Sequence, residues 1–245
     1  MPQVGTQAQM KKAIFFDLYG TLIDIKTDEG DPWVYETLSK YFSYYAVDIT
    51  PEELKKAYSE EVQQSLKSSR EMHPEIDVYA IFHTIMHKYG MRRYPRNIVA
   101  GMAMLFRSLT RKHFGAFPGI YDVLVSITEK RYRTAIISDA QWVFTDPEIL
   151  MLGLERFFRF KVLSSRFGFK KPDVRLFKLA MERLGVRPEE SVYIGDNPAK
   201  DLVGSKKAGM SFILFGSECR AYNGFQPDRC FGNYAELENI LREIG

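Results

Sequence analysis

The apolar positions of this chain follow two rhythms. Short, largely apolar runs at Ala13–Phe16, Thr134–Ile137, Lys161–Leu163, Val192–Ile194 and Phe212–Phe215 are bounded by turn residues. Runs of that length and continuity predict strands buried on both faces. Between them the apolar residues recur at three- and four-residue spacing, which predicts helices. These run from Pro118-Gly119 to about Lys130, around Pro147–Leu152, from Pro172 to Leu184 with Gly185 as the stop, over Pro198–Ala208 and over Tyr234–Ile244. Strands alternating with helices imply a parallel sheet with right-handed crossovers. The fold class is therefore α/β.

One long stretch keeps only the helical rhythm. From Asp31 to about Phe114 no strand pattern intervenes. Trp33, Tyr35, Leu38, Tyr41, Phe42 and Tyr45 form an apolar stripe that reads as the core of this region. Thr50, Pro51 and Glu53 make a helix start with a capping box. A third helix is expected from near His73-Pro74 to Gly90, and a fourth from Pro95 to about His113. Asp24–Gly30 reads as a polar turn. The chain then divides into a disordered tail, 1–10, a core made of 11–24 and 115–245, and an inserted helical cap, 25–114.

Composition mostly excludes. With 45% hydrophobic residues the chain can bury a sizeable core. A formal charge of +3 is too small to argue for nucleic acid or an anionic membrane. The longest nearly apolar run, Ile98–Phe106, is too short to span a bilayer. The first ten residues carry no apolar signal core, and the two cysteines, Cys219 and Cys230, make no disulfide framework or metal pair. A cytoplasmic protein with buried free thiols is the expectation.

The chemistry lies where strands end. Asp17 follows the first strand, with Gly20 to turn the backbone and Thr21 to supply a hydroxyl. Ser138 and Asp139 follow the strand at 134–137. Gly195, Asp196 and Asn197 follow the strand at 192–194, and Asp201 comes five residues after Asp196. Lys171 stands ahead of Pro172, read as fixing a helix start. Open parallel sheets place ligands at the carboxyl ends of their strands. One site would thus hold carboxylates Asp17, Asp196 and Asp201, hydroxyls Thr21 and Ser138, and the ammonium of Lys171. An aspartate so placed can be a nucleophile, a metal ligand, or both.

Four stretches in this order, Asp17-Leu18-Tyr19-Gly20-Thr21, Ile136-Ile137-Ser138, Lys171-Pro172-Asp173 and Gly195-Asp196 with Asp201, resemble the haloacid dehalogenase superfamily. The resemblance implies a Rossmann-like, doubly wound parallel core with a helical cap of the C1 type inserted after the first motif. It implies nucleophilic catalysis by Asp17 and a Mg²⁺ ion held by Asp17, Asp196 and the backbone carbonyl of Tyr19, with Asp201 behind them. It also gives catalytic or phosphate-binding roles to Thr21, Ser138, Asp139 and Lys171. The substrate class implied is a small phosphorylated metabolite.

Tyr19 departs from the pattern. Family phosphatases carry a second aspartate there, which protonates the leaving oxygen. A phenol with a pKa near 10 is a poor substitute. Haloacid dehalogenases carry tyrosine at this position, because a halide leaves without a proton. Against dehalogenation, this chain keeps Gly195-Asp196 and has no arginine between Asp31 and Lys56, where those enzymes cradle their substrate. The balance implies a phosphatase favouring leaving groups that need little protonation. A metal-independent 2-haloacid dehalogenase and a degenerate, non-catalytic binder are the alternatives. His83 and His87, four residues apart, have no third ligand in view, and Arg92, Arg93 and Arg96 read as a solvated connection.

Overall fold

The computed structural model describes residues 11–90, 93–216 and 218–244; the tail at 1–10 and Arg92 lie outside them. Six parallel strands form the main sheet. They are β1 (Ala13–Phe16), β4 (Arg133–Ser138), β5 (Lys161–Leu163), β6 (Ser191–Gly195), β7 (Ser211–Phe215) and β8 (Arg229–Phe231), in the order β5-β4-β1-β6-β7-β8. The first strand is central, and Phe16 faces Ile136 on one side and Ile194 on the other.

All four residues of β1 are buried, because the sheet is covered on both faces. Ile14 and Phe16 pack with α5 (Ile120–Glu129) and α9 (Tyr234–Ile244), while Ala13 and Phe15 pack with α7 (Val174–Leu184). The alternation follows from the two-residue period of a strand. This is the doubly wound α/β architecture.

The helical region holds α1 (Pro32–Ser43), α2 (Pro51–Ser68), α3 (Val78–Tyr89) and α4 (Arg96–Thr110). Its cluster includes Leu38, Phe42, Leu54, Phe82 and Phe106, and it takes in Val143 and Phe144 from the core helix α6 (Trp142–Met151). The capping box at Thr50 forms as expected: Glu53 N donates to the Thr50 hydroxyl, and Thr50 N donates to the Glu53 carboxylate at 2.9 Å. The aromatic stripe is only half buried. Val34, Tyr35, Leu38 and Phe42 face inward, whereas Trp33 and Tyr41 are exposed.

Several elements differ from expectation. Ile23–Thr27 is a strand, β2, paired antiparallel with β3 (Arg111–Ala116), which continues straight from α4. Its Ile-Asp-Ile-Lys alternation is that of a half-buried strand, and the charges made it read as a turn. Ile25 pairs with Phe114, and His113 Nε2 lies 3.1 Å from Asp24. The helix α7 begins at Val174 under an Asp173 cap, so Pro172 precedes the cap rather than entering the first turn. A π-helical turn, Pro198–Leu202, leads into the short α8 (Val203–Lys207).

Cys219 and Cys230 are not free thiols. They form a disulfide, with Cα atoms 5.6 Å apart. The edge strand β8, too short and polar to announce itself, carries Cys230 back within bonding distance of Cys219. Among the described residues, no helix is long and apolar enough to cross a membrane.

Candidate active site

The carboxyl ends of β1, β4 and β6 open into one cavity of about 180 Å³ lined by Asp17, Tyr19, Ser138, Asp139, Lys171, Asp196, Asn197 and Lys200. The register explains the convergence. Phe16, Ile136 and Ile194 are paired neighbours, so the residues that follow emerge at one edge. Ligand oxygens of Asp17, Asp196 and Asp201 all lie within 4.8 Å of one another. Seven of the eight residues singled out from the sequence thereby come together at or directly behind this cavity.

The eighth, Thr21, is fully buried and does not line the cavity. Its hydroxyl donates to Asp196 Oδ1 at 3.0 Å. Its carbonyl accepts from the buried Tyr234 hydroxyl, which ties the loop to α9. The geometry makes Thr21 a support for Asp196. Gly20 is required for the same closeness. Its φ is +85°, and a Cβ there would stand 2.5 Å from Asp196 Oδ2.

Lys171 is the hub. Its Nζ lies 2.8 Å from Asp17 Oδ1, donates to Asp201 Oδ1 at 2.6 Å and reaches the Tyr193 hydroxyl at 3.1 Å. Its backbone N–H donates to Asp139 at 2.8 Å. Burial works against the charge, but Asp17, Asp201 and Asp139 more than offset it and hold the ammonium above its ordinary pKa. Asp201 is saturated by protein donors, with Asn197 N–H on its other oxygen at 3.0 Å. Burial raises its carboxyl against the pull of Lys171, and Asp17 adds to the rise. Asp196 is raised by burial and by Asp17. Asp17 Oδ1, although ion-paired, receives no hydrogen bond of good geometry.

Sequence reasoning passed over Tyr193, Lys200, Arg107 and Glu148. Tyr193 was legible as the one polar tip in a buried strand, and its hydroxyl donates to Ile137 O at 2.8 Å. Lys200 lies 3.1 Å from Asp139 Oδ2. Glu148 is buried in α6, where the Tyr19 hydroxyl donates to it and the Arg107 guanidinium grips it from α4. Burial and then Glu148 push the Tyr19 phenol well above its ordinary pKa. A phenol so held is no proton donor at neutral pH.

The doubly wound sheet gathers Asp17, the buried Lys171 and an acidic trio at its carboxyl edge. The model of the haloacid dehalogenase-like hydrolase family matches residues 14–215, and the chain belongs to that family. It is similar to the glyceraldehyde 3-phosphate phosphatase of Methanothermobacter thermautotrophicus, with 29% identity over 209 residues, covering 85% of this chain and 87% of the relative. The enzyme of the same name from Pyrococcus furiosus is 26% identical over 236 residues, covering 95% of this chain and 86% of the relative. Among solved structures, a phosphatase of the family from Thermococcus onnurineus superposes with a TM-score of 0.61 at 22% identity, covering 94% of this chain and 97% of that one. A 2-haloacid dehalogenase from Pseudomonas syringae gives 0.65 at 22% identity, covering 96% and 100%. At such identities the two structures speak for the fold alone.

Proposed function

We propose that the chain is a Mg²⁺-dependent phosphatase that acts on small phosphorylated metabolites through a phosphoryl group carried on Asp17. The carrying observation is the placement of Asp17 against Lys171 inside the acidic cavity. Its relatives named as phosphatases over most of their length support the substrate class. A phosphoserine phosphatase from Thermus thermophilus, 30% identical over 42% of this chain, points the same way.

The residues fit a hard divalent cation. Four carboxylates, Asp17, Asp139, Asp196 and Asp201, face two ammonium groups, Lys171 and Lys200. The excess is two negative charges, the charge of one such ion. An ion would be held by Asp17, Asp196 and the Tyr19 carbonyl, with Asp201 fixing Lys171 behind. When bound, Mg²⁺ supplies charge neutralisation between the nucleophile and the phosphoryl oxygens.

The protein's own groups do the rest. Lys171 and Ser138 hold phosphoryl oxygens, and Lys171 balances the charge that develops on them. Asp139 anchors the Lys171 backbone and orients Lys200 at the cavity wall. Thr21 holds Asp196 in place. Asp17 attacks phosphorus, the leaving oxygen departs with the bonding electrons, and water then releases phosphate. Because Tyr19 gives no proton, substrates with good leaving groups, such as aryl or acyl phosphates, react best. Residues 25–114 form the cap that closes over the substrate. A cytoplasmic setting belongs to the same proposal, although the Cys219–Cys230 bond counts against a strongly reducing one.

A second reading, 2-haloacid dehalogenation, draws on Tyr19 and on Arg107, whose guanidinium lies 5.1 Å from the Tyr19 ring centre. Glu148 already takes the Nε and Nη2 edge of that guanidinium, the edge best suited to a second carboxylate. The deciding experiment is phosphate release from an aryl phosphate with Mg²⁺ and with chelator, beside Asp17→Asn. Metal-dependent release that the substitution abolishes is expected. Halide release from a 2-haloacid in chelator, with no phosphate release, would replace the phosphatase by the dehalogenase.

A further inference from the structure

We propose that Glu148 is a positioning residue that ties α4 of the cap to Tyr19 at the catalytic cavity and commits the Tyr19 hydroxyl to the protein rather than to substrate. The kinetic part of this inference rests on the phosphatase reading; the mechanical part does not.

Three elements meet at Glu148. Tyr19, in the loop after β1, donates its hydroxyl hydrogen to Glu148 Oε2. The same hydroxyl lies 3.0 Å from Thr145 Oγ1, one turn earlier in α6, and Thr145 in turn donates to Gln141 O at 2.8 Å. From α4, Arg107 Nε donates to Glu148 Oε1 at 2.7 Å and Nη2 to Oε2 at 3.2 Å. The guanidinium also lies 4.7 Å from the Phe144 ring centre. Its packing against Phe144 and Tyr19 is cation–π in character.

A buried carboxylate is tolerated only when its oxygens are fully served. Glu148 is 3% exposed. Arg107 serves both oxygens and Tyr19 serves one of them, so the group is closed on itself. It stands on α6, whose Val143 and Phe144 join the hydrophobic cluster of the cap. The seam between cap and core also carries the more exposed Glu71–Arg175 pair and hydrogen bonds through Gln141 and Ser164. The Arg107–Glu148 pair is more deeply buried, and it ends on a residue of the cavity wall. Through Glu148, the position of α4 and the orientation of the Tyr19 hydroxyl are coupled. The hydroxyl's bond to Glu148, beside its contact with Thr145, fixes which way the Tyr19 ring is turned.

The test is a double-mutant cycle with the Mg²⁺-loaded full chain and an aryl phosphate. Glu148→Ala is expected to lower kcat about tenfold, and in a Tyr19→Phe background the same change costs less than about threefold, because the hydrogen bond through which it acts is gone. Glu148→Gln, which still accepts from Tyr19, recovers most of the loss. Tyr19→Phe lowers turnover of alkyl and aryl phosphates by the same factor. Additive losses, or a Tyr19→Phe loss confined to alkyl phosphates, would overturn the proposal.

Hydrogen exchange of the Arg96–Thr110 amides tests the bridge without any activity. Exchange there should quicken in Glu148→Ala and Arg107→Met alike, while α9 keeps its protection as the folding control. Unchanged exchange in α4 sinks the bridge. Should the wild-type chain release no phosphate with Mg²⁺, the phosphatase reading fails by itself, and exchange still decides the bridge.

Discussion

Two buried ionic clusters flank the cavity, and they differ in charge balance. Around Lys171, four carboxylates face two ammonium groups, and one Asp17 oxygen lacks a well-formed hydrogen bond. Around Glu148, one carboxylate meets one guanidinium, and both its oxygens are occupied. A low-dielectric interior punishes uncompensated charge, so an unbalanced cluster takes up protons or a cation. In the proposed reading the Lys171 cluster receives a cation and an anionic substrate. The Glu148 cluster is complete without a ligand, and what it can do is hold.

Removing the hub of the unbalanced cluster should do the most damage. Lys171→Met keeps the aliphatic stem and deletes the charge that Asp17 and Asp201 share. Turnover of an aryl phosphate should fall by roughly 10²–10³-fold, the scale of losing one preorganised transition-state donor. Stability without metal should fall by about 3–5 kcal/mol, the cost of orphaning a buried pair. Denaturant melts and steady-state rates measure the two losses. A variant that keeps wild-type turnover would remove Lys171 from the reaction.

Gly20→Ala should have a smaller effect on the same cluster. The αL backbone alone costs about 1–2 kcal/mol for a residue with a Cβ. The added carbon, at 2.5 Å from Asp196 Oδ2, must also displace that carboxylate. We expect kcat to fall about tenfold, with weaker Mg²⁺ affinity in a titration, because a carboxylate moved by an ångström no longer meets its ion. Unaltered Mg²⁺ affinity would show that Asp196 yields without loss and is not a ligand.

The two clusters were unequally legible. Asp17, Ser138 and Asp196 each end a short apolar strand, and a parallel sheet brings such ends together whatever the loops do. Asp201 was readable from its spacing to Asp196, and Lys171 from its Lys-Pro-Asp stretch through the resemblance. Glu148 and Arg107 were not, for they stand 41 residues apart and meet only because α4 docks on α6. The contact of Thr21 with Asp196 was not legible, since the two lie 175 residues apart. The β2–β3 ribbon hid for a local reason: Asp24, Lys26 and the basic start of β3 masked a half-buried alternation. The disulfide depended on how the β7–β8 connection folds back, which no local pattern encodes.

The sharpest separation of the clusters is in their response to pH and metal. Asp196 and Asp201 both sit above their ordinary value of 3.8 in the fold, Asp201 at about 7. The metal-free fold therefore binds protons more readily than the unfolded chain. The stability this contributes is fully present below about pH 4 and is lost as pH rises through the folded values toward 7. A divalent cation competes with those protons, so its stabilising effect should grow across the same window. At a fixed Mg²⁺ concentration, the rise in Tm at pH 8 should exceed that at pH 5 by about 2–4 °C, corresponding to about 1 kcal/mol in a chain of this length. Asp196→Asn should flatten the difference, whereas Glu148→Gln, on the balanced side, should leave it intact. Equal Mg²⁺ shifts at both pH values would mean that the ion meets no protonated carboxyl. The carboxylates around Lys171 would then stand ionised in the metal-free fold already at pH 5.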